Sequence, residues 1–110
     1  MQSTFEAVAE PTRRRILDLL LDGERPVGEL VAELSMSQPA VSRHLRVLRD
    51  AGLVTSRTDA QRRLYRVHAA PLAEMGEWLQ PYRRMWAASL DRLARHLDDM
   101  DDGDESGRGT

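Results

Sequence analysis

The feature that most constrains the fold is a pair of amphipathic helices with only a few residues between them. The first predicted helix covers residues 25–34 and the second covers residues 37–51, with "SMS" at their junction. So short a join is typical of a helix-turn-helix, in which two helices pack at a steep angle. We therefore expect the second helix to lie across the first, with one face against a core.

The second helix divides into an apolar face and a polar, basic face. Val41, Leu45 and Leu48 recur at helical spacing and predict the buried side. Ser37 can cap the helix, and Pro39 suits its first turn, where a missing N–H costs nothing. Small residues, an amide and guanidinium groups dominate the opposite side: Gln38, Ser42, Arg43, Arg46 and Arg49. Small side chains permit close approach to a DNA major groove, where Gln can pair with adenine and Arg with guanine.

The remaining patterns predict a mainly α fold with a small β-hairpin, a winged helix-turn-helix. Short helices are expected at 3–10 and from Pro11 to a stop at Gly23. Two runs rich in Val, Thr and Tyr, "LVTSR" and "RRLYRV", predict the hairpin. A long amphipathic helix follows at 71–97, which Pro81 should kink or restart.

Charge is distributed unevenly along the chain. Residues 35–66 contain seven Arg and two Asp, whereas residues 98–110 contain six acidic residues and one Arg. We therefore predict a DNA-binding and dimerisation domain at 1–97 and an acidic, disordered tail at 98–110. All basic side chains are Arg, which suits phosphates and guanine but also fits GC-rich codon usage. A solvated helix face is the alternative explanation of the Arg series.

These segments together resemble the ArsR/SmtB family of bacterial winged-helix repressors over residues 5 to 97. The matching pieces are "PTRRRIL", "VGELVAEL", "SQPAVSRHLRVLRDAGLV" and "RRLYRV". The last helix is similar to that of the SdpR-like subgroup, which lacks metal-site cysteines. The resemblance implies a sequence-specific transcriptional repressor that binds double-stranded DNA as a homodimer. It also implies an inverted-repeat operator, with one recognition helix in each half-site.

The resemblance assigns DNA-contacting residues to the turn, the second helix and the wing. Base contacts are implied for Gln38, Ala40, Ser42 and Arg43, phosphate contacts for Ser35 and Ser37, and a basic wing for Arg62 and Arg63. From the residues alone, His44 beside Arg43 and Arg46 further along the helix are also candidates for DNA contact. Arg46 and Arg49 are expected to touch the DNA backbone or only solvent. His44 lies nearer the core side, so packing under the helix is its other possible role. The family usually has Gly at the wing tip, where "DAQ" stands here, and this predicts a looser tip.

The resemblance also implies that the first and last helices form the dimer interface. The residues expected there are Phe5, Val8, Met75, Trp78, Leu79, Tyr82, Trp86, Leu90 and Leu93. Trp78, Tyr82 and Trp86 could instead line a small-molecule pocket at that interface, although packing is the simpler interpretation. An unidentified small-molecule or protein inducer is a further candidate partner.

No cofactor, metal site or enzymatic activity is expected. The chain has no Cys, and Val31 and Glu33 stand where the family's metal-binding thiolates would be. No phosphate-cradling Gly loop or catalytic motif is present, and no signal sequence or long apolar segment opens the chain. We therefore expect a cytoplasmic protein without membrane contact. Two alternatives remain open: a metal-responsive repressor, and a protein-interaction module that uses the winged helix to dock a partner.

Overall fold

A computed structural model describes residues 3–108 of the chain, with side chains described for residues 3–100. The elements are α1 (Thr4–Ala9), α2 (Pro11–Leu19), β1 (Arg25–Pro26), α3 (Val27–Leu34), α4 (Gln38–Asp50), β2 (Val54–Asp59), β3 (Arg62–Val67) and α5 (Ala70–Arg108). The chain divides between Met75 and Gly76 into two units. The first unit holds every element up to the start of α5, and the second unit is the rest of α5. The predicted winged helix-turn-helix is confirmed.

The first two helices are joined by caps and by side chains that bind backbone carbonyls. Ser3 caps α1 by accepting a hydrogen bond from the Glu6 N–H at 3.1 Å. The guanidinium of Arg13 donates to the Ala7 carbonyl at 2.7 Å, and that of Arg14 donates to the Val8 carbonyl at 2.7 Å. Because the last carbonyls of a helix lack partners within it, these two arginines tie the end of α1 to α2.

The sheet has one more strand than the predicted hairpin. Its three antiparallel strands lie in the order β1-β3-β2, and Arg25 pairs with Tyr65 while Pro26 pairs with Leu64. The sequence prediction placed a helix from residue 25, and this is wrong at its start. Pro26 has extended φ and ψ of −74° and 154° and precedes the first helical residue. A two-residue strand is too short to produce an alternating pattern, and only its pairing with β3 defines it.

One apolar core lies inside the first unit. The buried residues include Ala7, Ile16, Leu17, Leu20, Leu30, Leu34, Val41, Leu45, Leu48, Leu53, Val54, Leu64 and Tyr65. Helices α2, α3 and α4 supply most of them. Leu21 follows the end of α2 and is 74% exposed.

Helix α5 is longer than predicted and does not restart at Pro81. Helical backbone is assigned from Ala70 to Arg108 with Pro81 inside it. Pro81 removes one backbone donor, but the helix on either side is already nucleated, so elongation continues past it. The helix also passes residue 97 into the segment predicted to be disordered. The division into a domain at 1–97 and a tail at 98–110 stays a prediction.

Candidate nucleic-acid interface

The turn between α3 and α4 holds the start of α4 in a defined conformation. Ser35 ends α3 in the left-handed region, with φ 54° and ψ 42°. Ser37 is the N-cap of α4, and its hydroxyl oxygen accepts a hydrogen bond from the Ala40 N–H at 3.3 Å. This bond leaves the hydroxyl proton of Ser37 available as a donor to a phosphate. The predicted capping role of Ser37 is confirmed.

Helix α4 buries one face and exposes the other, as its sequence pattern predicts. Val41, Leu45 and Leu48 are at most 1% exposed and hold the helix to the core. Gln38, Arg43, Arg46 and Arg49 are exposed, whereas Ala40 and Ser42 are half-buried beside them. The outer side of α4 thus carries small side chains next to guanidinium groups, whereas His44 lies toward the start of α2.

Gly52 ends α4 and directs the chain into the wing. Its φ is 78°, in the left-handed region that glycine tolerates without steric cost. The Leu53 N–H donates to the Leu48 carbonyl and the Gly52 N–H donates to the Arg49 carbonyl, both at 2.9 Å. This pair of bonds is the Schellman arrangement of a helix C-terminus. The Gly52 carbonyl is in turn 2.9 Å from Nδ1 of His68, so His68 is a capping residue after the wing.

The tip of the wing is tight, which contradicts the looser tip expected from the sequence. Asp59 pairs with Arg62, so only Ala60 and Gln61 lie between the strands. Ala60 adopts φ 57°, a conformation that favours Gly or Asn in such turns. The hairpin pairing continues to the last residue of each strand, and Ala60 accepts the steric cost of closing the loop.

Arg62 and Arg63 lie on opposite faces of the wing. Successive side chains of a strand point to opposite sides of the sheet. Arg63 and Tyr65 line a cleft against α4, whereas Leu64 and Arg66 line the other face. Arg62 stands at the tip, 3.9 Å from the carboxylate of Asp59 and 61% exposed. The structure therefore brings Arg63, but not Arg62, together with the recognition helix.

His44 faces the start of α2. Its Nδ1 is 3.8 Å from a carboxylate oxygen of Glu10, and its side chain is 21% exposed. Glu10 is the N-cap of α2 and accepts a hydrogen bond from the Arg13 N–H at 2.9 Å. Desolvation opposes ionisation of Glu10, but the Arg13 N–H and the charges of His44 and Arg13 outweigh it and lower the pKa of that carboxyl. These contacts favour packing for His44, whose DNA contact stays a prediction.

Glu24 neutralises part of the basic stretch, an interaction that the sequence prediction missed. The guanidinium Nε of Arg57 lies 3.1 and 3.0 Å from the two carboxylate oxygens of Glu24, and a terminal guanidinium nitrogen also binds this carboxylate. Hydrogen bonds from Arg57 are the main reason that the pKa of Glu24 is lowered. The two residues are 33 positions apart, and no local pattern indicates their pairing.

The residues predicted for the dimer interface lie in both units. In the first unit, Phe5 is 49% exposed, and Val8 and Met75 line one apolar hollow together with Leu21. In the second unit, Leu79 is half-buried and the others are exposed: Trp78, Tyr82, Trp86, Leu90 and Leu93. The rings of Trp78 and Tyr82 have centroids 5.1 Å apart. The exposed apolar stripe extends to Leu97, which belongs to the predicted amphipathic helix but not to the predicted interface residues, and to Met100 beyond it.

Two features of the described residues bear on other kinds of site. Across the part of the chain that the structure describes, His, Asp and Glu side chains form no group of three that could hold a metal ion. Within the same residues, no helix is both long enough and apolar enough to cross a bilayer.

Comparison with known proteins gives one consistent result. The family described as "Bacterial regulatory protein, arsR family" matches residues 10–56. The transcriptional regulator Rv2034 of Mycobacterium tuberculosis is 39% identical over 89% of this chain and 89% of its own length. The transcriptional repressor SdpR of Bacillus subtilis is 32% identical over 72% of this chain and 88% of its own. A solved structure of a possible transcriptional regulator for arsenical resistance superposes with a TM-score of 0.69. It has 42% identity and covers 86% of this chain and 95% of that one.

The residues and the comparisons agree on the class of protein. A capped recognition helix with an exposed, arginine-rich face stands beside a β-wing, and the matched family and relatives are bacterial transcriptional regulators. The chain belongs to the ArsR family of bacterial winged-helix transcriptional regulators.

Proposed function

We propose that this chain is a transcriptional repressor that acts as a homodimer on an inverted-repeat operator. One α4 helix enters the major groove of each half-site, and the wing contacts the adjacent backbone. The repressor role is supported by similarity to the transcriptional repressor SdpR. An operator in the chromosome also requires a cytoplasmic location.

The observation that carries this proposal is the surface of α4. Three buried apolar side chains hold the helix to the core, and its exposed face presents small and bidentate side chains from a capped N-terminus. A helix needs a rigid attachment and a low-relief outer face to enter the major groove. Within the DNA contact surface, Gln38 and Arg43 read base edges, with Ala40 and Ser42 beside them.

Contacts with the sugar–phosphate backbone come from the turn and the wing. Ser35 and Ser37 lie at the N-terminus of α4, where hydroxyl and N–H donors can bind a phosphate. Arg62 is exposed at the wing tip and contacts the backbone there. Phosphate contacts fix the register of the protein, whereas base contacts give its specificity.

The apolar stripe of α5 supports dimerisation. From Trp78 to Met100, large apolar side chains recur at helical spacing, and the exposed ones among them are at least 49% accessible. A patch of this size is unusual on a monomer and marks a binding surface. We assign it to a second copy of this chain, because a two-fold dimer also matches the symmetry of an inverted repeat.

Regulation without a metal ion is the form of the proposal that the residues favour. The chain has no Cys, and His96 is the only His in α5. The metal-responsive alternative draws support from the name of the solved regulator for arsenical resistance. It predicts that zinc or another transition metal weakens operator binding, and an unchanged affinity would exclude it for the metals used.

A protein-interaction module is the second candidate function. It rests on the acidic residues of 98–110, which repel DNA. A DNA-binding role instead predicts a steep loss of affinity with salt, about 0.9 log units per log unit of salt for each phosphate contacted. A flat salt response would favour the interaction module.

Selection of bound duplexes from a random DNA pool tests the main proposal. We expect the enriched sequences to contain two inverted half-sites whose centres are about one helical turn apart or a multiple of it. Footprinting on an enriched duplex should then show two protected major grooves. Failure to enrich any sequence, with the protein folded and dimeric, would reject sequence-specific DNA binding.

A further inference from the structure

A cleft in the first unit separates the recognition helix from the wing. It has a volume of about 170 Å³ and lies between α4 and β3. Its lining residues are Ser42, Leu45, Arg46, Arg49, Arg63 and Tyr65. Leu45 and Tyr65, which are 1% and 9% exposed, are the buried residues of the cleft and lie beside the three arginines.

The cleft concentrates positive charge that is not neutralised within the protein. Its lining contains three guanidinium groups and no carboxylate. Among the ion pairs of residues 3–100, none involves Arg46, Arg49 or Arg63. Two arginines elsewhere in the wing are paired, since Arg57 binds Glu24 and Arg62 lies near Asp59. Within the described residues, the three arginines of the cleft have no such carboxylate partner, so their charge is available to a ligand.

A phosphodiester is the ligand that matches this chemistry. Guanidinium groups bind phosphate oxygens with paired hydrogen bonds, and a hydroxyl such as that of Ser42 can donate one more. The position of the cleft selects the source of that phosphate. If α4 lies in a major groove and the wing beside it, the DNA strand at the groove edge passes between the two elements.

We propose that this cleft clamps one backbone phosphate of the operator in each half-site, with Arg46 and Arg49 on one side and Arg63 on the other. The proposal rests on the DNA-binding function proposed above. It assigns Arg49, for which the sequence left a backbone contact and plain solvent exposure open, to the same phosphate as Arg63. The bound phosphate then links the recognition helix to the wing, so that reading of bases and seating of the wing occur together.

Methylphosphonate substitution on an enriched operator duplex tests the clamp. Each phosphate of one half-site is replaced singly by a neutral methylphosphonate, and binding is measured for the wild type and for Arg46→Ala, Arg49→Ala and Arg63→Ala. We expect each variant to bind the unmodified duplex about tenfold to a hundredfold more weakly. The salt slope should fall by about one for each variant. When the methylphosphonate stands at the clamped phosphate, the three variants and the wild type should bind the duplex with the same affinity, and this position should be the same for all three variants.

Arg66→Ala is the matched control, since it removes the same charge from the same strand but on the face away from α4. It should leave affinity within about threefold of the wild type at low-salt conditions. Arg63→Lys keeps the positive charge but removes the planar guanidinium that forms paired hydrogen bonds with a phosphate. This variant should retain the salt slope of the wild type but bind the operator more weakly. Thermal unfolding checks that each variant is folded. If Arg63→Ala is not folded, the comparison with the wild type is made with Arg49→Ala.

The outcomes separate the clamp from the function on which it rests. The clamp would be rejected, while DNA binding stands, if the three variants each responded to a different phosphate. It would also be rejected if the affinity lost by substitution and by methylphosphonate added independently at every position. An Arg66→Ala effect equal to that of Arg63→Ala would also reject it, because the loss would then reflect net charge alone. If the wild type binds no duplex, the proposed function fails and the clamp fails with it.

Discussion

Arg43 lies on the exposed face of α4, less than about two helical turns from the Ser37 cap. At this depth along a recognition helix, a guanidinium can form two hydrogen bonds with O6 and N7 of a guanine. An ammonium carries the same charge but lacks the planar fork. Substitutions at this one position can therefore separate base recognition from simple attraction to DNA.

Replacing Arg43 by Ala should lower operator affinity by about 1–3 kcal/mol and relax the preference at one base pair of each half-site. Arg43→Lys should lose the same preference but retain the salt slope of the wild type, because the charge is kept. Quantitative gel shifts on the operator and on single-base variants measure both effects. Unchanged affinity and unchanged specificity in Arg43→Ala would remove this residue from the base-reading set.

At Ala60, the backbone conformation determines how a substitution changes the stability of the protein. Its φ of 57° costs an L-residue about 1–2 kcal/mol, whereas glycine adopts it freely at some entropic cost. Ala60→Gly should therefore stabilise the protein by about 0.5–1 kcal/mol in urea unfolding. Thr58→Gly, within the extended part of β2, should destabilise it. A loss of stability in Ala60→Gly would mean that the left-handed tip does not persist in solution.

Between elements, the N-terminus of α2 is a point where three helices meet. Glu10 caps α2 and faces His44 on α4, while Arg13 binds the Ala7 carbonyl at the end of α1. Ionised Glu10 is stabilised by a backbone N–H and by two neighbouring charges, which together outweigh desolvation. The protonation state of this carboxyl thus affects how α1, α2 and α4 are held together.

The sign of the resulting pH dependence follows from the lowered pKa of Glu10. Because the pKa of Glu10 in the folded protein lies below the ordinary value of a Glu carboxyl, the carboxylate stabilises the fold fully at any pH above that ordinary value. The contribution is lost as the pH falls through the folded pKa. Glu10→Gln should cost about 0.5–1 kcal/mol near neutral pH and progressively less in acid. Thermal unfolding of both proteins across this range measures the difference, and a constant gap at all pH values would contradict the role of the charge.

The elements also show how far sequence patterns reach. Periodic apolar residues predicted α4 and its buried face, and runs rich in Val, Thr and Tyr predicted both long strands, because these signals are local. Strand β1 and the Glu24–Arg57 ion pair were not predicted, since each depends on residues far apart in the chain. The tight turn at Ala60 was not predicted for another reason. Pairing along the whole hairpin overrode the local preference for glycine.

The candidate site likewise combines features that follow from one segment of sequence with features that depend on packing between distant segments. The turn, the cap and the outer face of α4 follow from the order of residues in one short segment. The cleft does not, because Arg46 and Arg63 become neighbours only when β3 packs against α4. Strand alternation shows that Arg62 and Arg63 must diverge, but the side that meets α4 depends on the packing of the sheet.

For the whole molecule, assembly is the property that most affects function. Trp86 is 66% exposed in the apolar stripe of α5. Trp86→Asp would place a carboxylate in the proposed interface, where an unpaired buried charge is strongly unfavourable. We expect monomers by light scattering and weak operator binding, because each monomer then contacts a single half-site.

Ala88→Asp is the control for this substitution. Residue 88 is about 200° around the helix from residue 86, so the same charge then lies away from the stripe. This variant should remain dimeric and bind the operator as the wild type does. A dimeric Trp86→Asp protein would place the interface elsewhere on the molecule.

The alternating faces of β3 have a consequence for how the gene can vary. Arg63 reaches the cleft, and Arg66 does not, because their positions differ by an odd number of residues. Deletion or insertion of a single residue within the strand would reverse this assignment and turn the cleft arginine outward. Changes of two residues at the tip would lengthen or shorten the wing without reversing it. Related wings should therefore tolerate gaps of an even number of residues but not of an odd number, and this should be a stricter requirement than their number of arginines.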